Sequence, residues 1–267
     1  MQTPGAFLQT YQDTARKKAS NSAGRLFLLA ILAGFLIGMG ALTSTLLSYS
    51  IQNPSLAQLI KGLVFPFGLI IVLYTGAELF TGNILLLLGL FEKNISAKAM
   101  LRNWILVYVG NFTGSLILSG AYVLFSGFTS GKVELATTIM RVADSKSALS
   151  FGQGLVLGLL CNFLVCMAVM QGLMTKSGAG KALGAFLPVA FFVWAGFEHS
   201  VANMYYISAG LFLKNVPALT VAGSDFIHLT WGNFFLKNLL PVTLGNILGG
   251  ALFAGLIDLA HRPSKKP

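Results

Sequence analysis

Residues 196 to 203 read GFEHSVAN and set a carboxylate, Glu198, beside an imidazole, His199, inside an almost uncharged run. Histidine, with an ordinary pKa of about 6.5, is the side chain suited to exchanging protons near neutral pH. Neighbouring residues on a regular helix point about 100° apart, so these two could not face each other there. A broken helix would let the carboxylate accept backbone N–H groups while the imidazole faces a pathway. A second polar island, LYTGAELFTGN, holds Glu78 with Thr75, Thr81 and Asn83, between Gly76 and Gly82. In GLLCNFLVCMAVM the one strongly polar side chain is Asn162, which could orient Glu198 or His199 or simply bond a neighbouring helix.

Ionisable groups deep in apolar segments are costly and point first to function. The residues alone leave a second reading open, in which His199 bridges helices and each glutamate is satisfied by local donors. A carboxylate is a poor surface for an anion, so Glu78 and Glu198 are expected to support their loops. His228 and His261 read as loop and tail residues. Enzyme chemistry is not expected: no nucleophile pair, metal cluster or cofactor motif is in reach, and a zinc HExxH would need histidine where Asn203 stands. Cys161 and Cys166, about 140° apart on a helix, read as small buried hydrophobes, not a disulfide or metal pair.

The elements that must position these groups are membrane spans. Of 267 residues 55% are hydrophobic and 10% charged, with a mean hydropathy of +0.76, whereas soluble domains carry about 25% charged residues. Six apolar stretches emerge, near 26–50, 59–90, 103–125, 151–174, 182–213 and 239–260, with 126–150 as a polar connection. Each can cross a hydrocarbon core about 30 Å thick, and helix is the state expected in lipid. The expected organisation is an N-terminal segment 1–25, a channel domain 26–260 and a tail 261–267. The polar, basic N-terminus has no apolar core of a signal peptide, so none is expected.

The net charge of +10 arises at span ends, which argues for membrane orientation over nucleic acid. Twelve of the eighteen Lys and Arg residues fall on the side of the two termini, which is thereby expected to be cytoplasmic. The second and fifth stretches are too long for one straight crossing and carry the polar islands at mid-depth. Such paired interruptions point to a substrate site in transport folds. GNFTGSLILSG at 110–120 and GNILGGALFAG at 245–255 suggest that spans one to three repeat, inverted, as spans four to six. Recurring small residues at close helix contacts are the alternative source of that echo.

Four segments together resemble the formate/nitrite transporter family of prokaryotic anion channels: GAELFTG at 76–82, CNFLVCMA at 161–168, GFEHSVANM at 196–204 and PVTLGNILGG at 241–250. The resemblance implies an all-α, six-helix, aquaporin-like protomer of two inverted three-helix repeats, joined as a homopentamer in the prokaryotic inner membrane. It implies transport of small monovalent anions (formate, nitrite, hydrosulfide, in some members lactate) with protons, without cofactor or nucleic acid. The family's central histidine falls on His199, its loop threonine on Thr81 and its supporting asparagine and glutamate on Asn162 and Glu198. Asn203 joins that polar set, and Gly76, Glu78, Gly82 and Asn246 support the helix breaks. The apolar constrictions fall on Phe65 and Phe192 outside, and on Leu69, Leu79, Phe80 and Val165 inside. Some nitrite and hydrosulfide members place a lysine on the fourth span. This chain has Leu157, Gly158 and Leu159 there, which resembles formate members. Trp194 departs from the small residue implied at its position and bears on the outer vestibule's shape.

A bare anion crossing apolar rings faces a desolvation penalty of tens of kcal/mol in the ideal limit, far above that of its neutral acid. A histidine between the rings could lend a proton and retrieve it, while free N–H groups at two half-helix ends attract the anion.

Overall fold

The computed structural model describes residues 1–126, 128, 132–216 and 226–262. Every regular element among them is helical. In chain order these are α1 (Pro4–Ser20), α2 (Ala23–Ser48), α3 (Pro54–Val64), α4 (Pro66–Thr75), α5 (Phe80–Asn83), α6 (Leu86–Phe91) and α7 (Ala97–Phe125). Then follow α8 (Val133–Ser147), α9 (Phe151–Leu173), α10 (Gly178–Trp194), α11 (Ser200–Lys214), α12 (Trp231–Asn233), a π-helical turn (Phe234–Leu239) and α13 (Leu240–His261).

Five stretches are long and apolar enough to span a bilayer: Ala23–Ser48, Pro54–Thr75, Ala97–Phe125, Phe151–Leu173 and Trp231–His261. The fifth of the six expected spans is α10 plus α11, each too short alone. The second is α3 and α4 followed, after a break, by α5 and α6. Both breaks open with a left-handed glycine just past the first half-helix, Gly76 at φ 65° and Gly196 at φ 70°. That conformation strains any residue with a Cβ, which is why a glycine closes each half-helix.

The halves pack alike. α2 lies against α7 as α9 lies against α13, and small residues let the backbones touch. A Cβ on Gly114 would overlap the Ile31 carbonyl oxygen, and one on Gly249 would overlap that of Leu159. These two contacts are equivalent under the repeat. Close backbone approach of this kind holds helices together where lipid removes the hydrophobic drive. Leu183, Leu187 and Phe191 on α10, and Leu248, Leu252 and Leu256 on α13, face outward, while polar groups gather inside.

Two segments read as polar connections in the sequence are helices. The 126–150 stretch contains α8, whose Leu135, Ala136, Ile139, Met140 and Ala143 are buried at helical spacing, so Arg141 and Lys146 sit on a helix rather than in a loop. The N-terminal segment contains α1, with Phe7, Leu8, Tyr11 and Ala15 buried. In both, the stripe is too sparse to raise the local hydropathy to that of a span. The helices are repeat counterparts: α1 precedes α2 as α8 precedes α9.

Candidate functional site

The two broken spans bring their tips together at the centre. His199 caps the N-terminus of α11, where its Nδ1 accepts the Ala202 N–H at 3.0 Å. Its Nε2 lies 2.9 Å from Thr81 Oγ1 of the other loop. A ring whose Nδ1 accepts an amide proton carries its own proton on Nε2, so the neutral imidazole donates to Thr81. His199 is 3% exposed and Thr81 is fully enclosed. Phe192 stacks on the imidazole at 5.8 Å, interplanar angle 10°.

Each loop is held by an asparagine from its own half. Asn111 on α7 accepts the Phe80 N–H and donates to the Glu78 and Ala30 carbonyls. Asn246 on α13 accepts the Ser200 N–H and donates to the Glu198 and Gly158 carbonyls. The Glu78 N–H bonds the Leu29 carbonyl as the Glu198 N–H bonds that of Leu157. Irregular backbone at membrane depth needs such partners, because no water is there to supply them. These bonds also occupy N–H groups at both half-helix starts that the sequence reading leaves free for an anion.

Beside each loop lies a carboxylate network. Lys18 on α1 donates to Glu78 Oε2 at 2.7 Å and to Asn83 Oδ1 at 2.9 Å. Asn83 donates to Glu78 and to Asn103, and Asn103 donates back to the Lys18 carbonyl. In the other half Lys146 on α8 donates to both oxygens of Glu198 at 2.9 Å. Asn203 donates to Glu198 and Asn238, and Asn238 donates to the Lys146 carbonyl. Glu78 and Glu198 are thus neutralised in place, held by lysine and asparagine. The sequence reading names neither Lys18 nor Lys146 as partners, gives Asn103 and Asn238 no role, and reads Asn111 only as part of the repeat. A signal was available: Lys18 to Lys146, like Leu29 to Leu157, follows the repeat.

The halves differ where chemistry is expected. His199 occupies the place of Leu79, and Asn162 that of Gly34. Asn162 donates to the Thr81 and Asn246 carbonyls at 3.2 and 2.7 Å, tying the first broken span to α13, and does not reach Glu198 or His199 among the described hydrogen bonds.

Two cavities approach this centre. One, on the side of α1 and the end of α13, measures about 380 Å³ and is lined by Lys18, Glu78, Leu69, Leu79 and Gly82. The far-side cavity, about 370 Å³, is lined by Lys146, Glu198, His199, Phe65 and Phe192. Phe65 and Phe192 meet edge to face at 5.7 Å. Phe80 packs edge-on against Tyr108 and Trp104. Phe80 and Val165 are buried and line neither cavity. Gly76 lines the tail-side cavity. Trp194 does not line the far-side vestibule; its indole covers Gly62, where a side chain would collide with it, and donates to the Leu59 carbonyl at 3.2 Å. No group of three or more metal-ligating side chains occurs among the described residues.

Inverted halves, two broken helices meeting at mid-depth and a charged vestibule on either side define a membrane transport protein. The model of the formate/nitrite transporter family matches residues 5–260. The chain is 35% identical over 268 residues to the formate channel FocA of Escherichia coli strain K12, covering 95% of this chain and 92% of that one. Its fold matches a pentameric formate channel with formate bound at 35% identity and a TM-score of 0.79, over 89% of this chain and 96% of that one. It also matches an FNT family ion channel at 28% identity and a TM-score of 0.83, over 97% and 99%. The chain belongs to the formate/nitrite transporter family.

Proposed function

We propose that the chain conducts formate across the prokaryotic inner membrane as a homopentamer with a pore in each protomer, neutralising each anion by a proton as it passes His199. Nitrite and hydrosulfide are the alternative cargo. The basic tail side is taken as cytoplasmic, so the far side faces outward. Substrate and pentamer draw support from formate channel relatives and a pentameric formate channel of the same fold. The observation that carries the mechanism is the His199–Thr81 pair, enclosed between Phe65 and Phe192 on one side and Leu69 and Leu79 on the other.

The neutral ring has one proton, on Nε2, and losing it would leave an unstable imidazolate. A relay therefore needs a second proton. An anion arriving beside the ring favours the imidazolium, and Nδ1 then releases the Ala202 N–H to take that proton. The Nε2 proton passes to the anion and leaves a neutral ring with its proton on Nδ1. The neutral acid crosses the apolar ring, and exchange with water, which takes the Nδ1 proton and returns one to Nε2, restores the tautomer seen here. On the far side the acid gives its proton to water. Thr81 Oγ1 holds the ring or the substrate in turn, and Asn162 fixes the loop that carries it.

His199→Phe and His199→Asn are both expected to abolish formate flux in liposomes while the assembly survives size-exclusion chromatography. Asparagine can donate a hydrogen bond but cannot carry a charge-neutralising proton. Wild-type flux with an unchanged pH profile in His199→Asn would overturn the relay.

A further inference from the structure

The far-side vestibule contains more positive charge than its carboxylate can balance. Lys61 on α3 and Arg141 on α8 line the same 370 Å³ cavity as Lys146 and Glu198. Lys146 occupies both Glu198 oxygens. Among the described residues Lys61 and Arg141 have no carboxylate partner. Lys61 is half-buried, so its ammonium has given up part of its water with no counter-charge in return. Basic residues on the tail side follow from membrane orientation, but on the far side that rule disfavours them.

Three cations against one carboxylate leave two charges open, which one monovalent anion cannot balance. We propose that Lys61 and Arg141 form a binding site for a small divalent oxyanion, above the Phe65–Phe192 ring, that closes the outer mouth to formate. Arg141 offers a planar fork suited to two oxygens, and Lys61, from α3, a compact charge in the same cavity. The cavity accommodates a partly hydrated ion. Passage stops at the ring, because desolvating a dianion costs far more than desolvating a monoanion. One proton also leaves it charged where formate becomes neutral. The blocking half of this proposal rests on the pore reading above; the binding half does not.

Sulfate is the probe, since it stays divalent across the working pH range. Calorimetric titration of the purified assembly at constant ionic strength should show binding. Lys61→Gln and Arg141→Gln should each weaken it by roughly fivefold or more, the effect of one charge in a water-accessible site. Lys98→Gln, exposed on α7 and lining neither cavity, should leave it unchanged, and Lys61→Arg should retain it. Absent sulfate binding, equal displacement by chloride, or affinity indifferent to Lys61 and Arg141 overturns the site. In proteoliposomes sorted by orientation, sulfate at the far side should slow formate entry without being transported. Binding without inhibition overturns the block alone, and binding to a protein that moves no formate overturns the pore reading alone.

Discussion

The pairs Lys18–Glu78 and Lys146–Glu198 show how a chain places carboxylates beside an anion route without repelling the anion. Each glutamate is matched by an ammonium at hydrogen-bond distance, at 2.7 and 2.9 Å, and by a buried asparagine. Removing one partner leaves the other charge stranded, which is more harmful than removing both. Lys146→Met should therefore destabilise the assembly by about 3 kcal/mol, the low end for buried pairs because Lys146 keeps some water. Lys146→Met with Glu198→Gln should recover most of that loss. Thermal unfolding followed by native chromatography measures both, and equal losses would remove the pairing argument. The loop residues were readable because Glu78 and His199 stand out against apolar neighbours. Their lysines, 60 and 52 positions away, sit among ordinary polar residues where no local signal marks them.

At the scale of the element, the breaks were readable from length and glycines, while α1 and α8 were not. A helix that buries one narrow stripe under a polar surface has the composition of a loop. The tight crossings make a sharper test. Gly249→Val on α13 forces a side chain into the Leu159 carbonyl, and overpacking of this kind costs about 1–3 kcal/mol or more. Reduced recovery of folded assembly is expected, whereas Gly152→Val, whose Cβ would meet nothing within 4 Å, should fold normally. Comparable yields of both variants would mean that α9 and α13 yield more easily than their contact implies. The repeat itself was visible at Gly110–Asn111 and Gly245–Asn246. The cross-links these asparagines make, from Asn111 to Glu78 and from Asn246 to Glu198, needed the folded chain.

For the whole molecule, the proposed relay of one proton per anion would make each passage electrically silent. Formate uptake should rise as the pH of the supplying side falls and should ignore an imposed voltage. A sustained formate current across a planar bilayer would show that the anion crosses bare. The balance of the two vestibules belongs to this scale too. Each pairs its carboxylate with one lysine and adds two further cations, Lys17 and Arg25 on the tail side, Lys61 and Arg141 on the other.

Thr81 and His199 meet within a single chain, so in the proposed ring each subunit would own a complete crossing without a residue from its neighbours. Co-expressing intact and His199→Phe copies should then dim uptake in simple proportion to the damaged share, with no dominant poisoning of mixed rings.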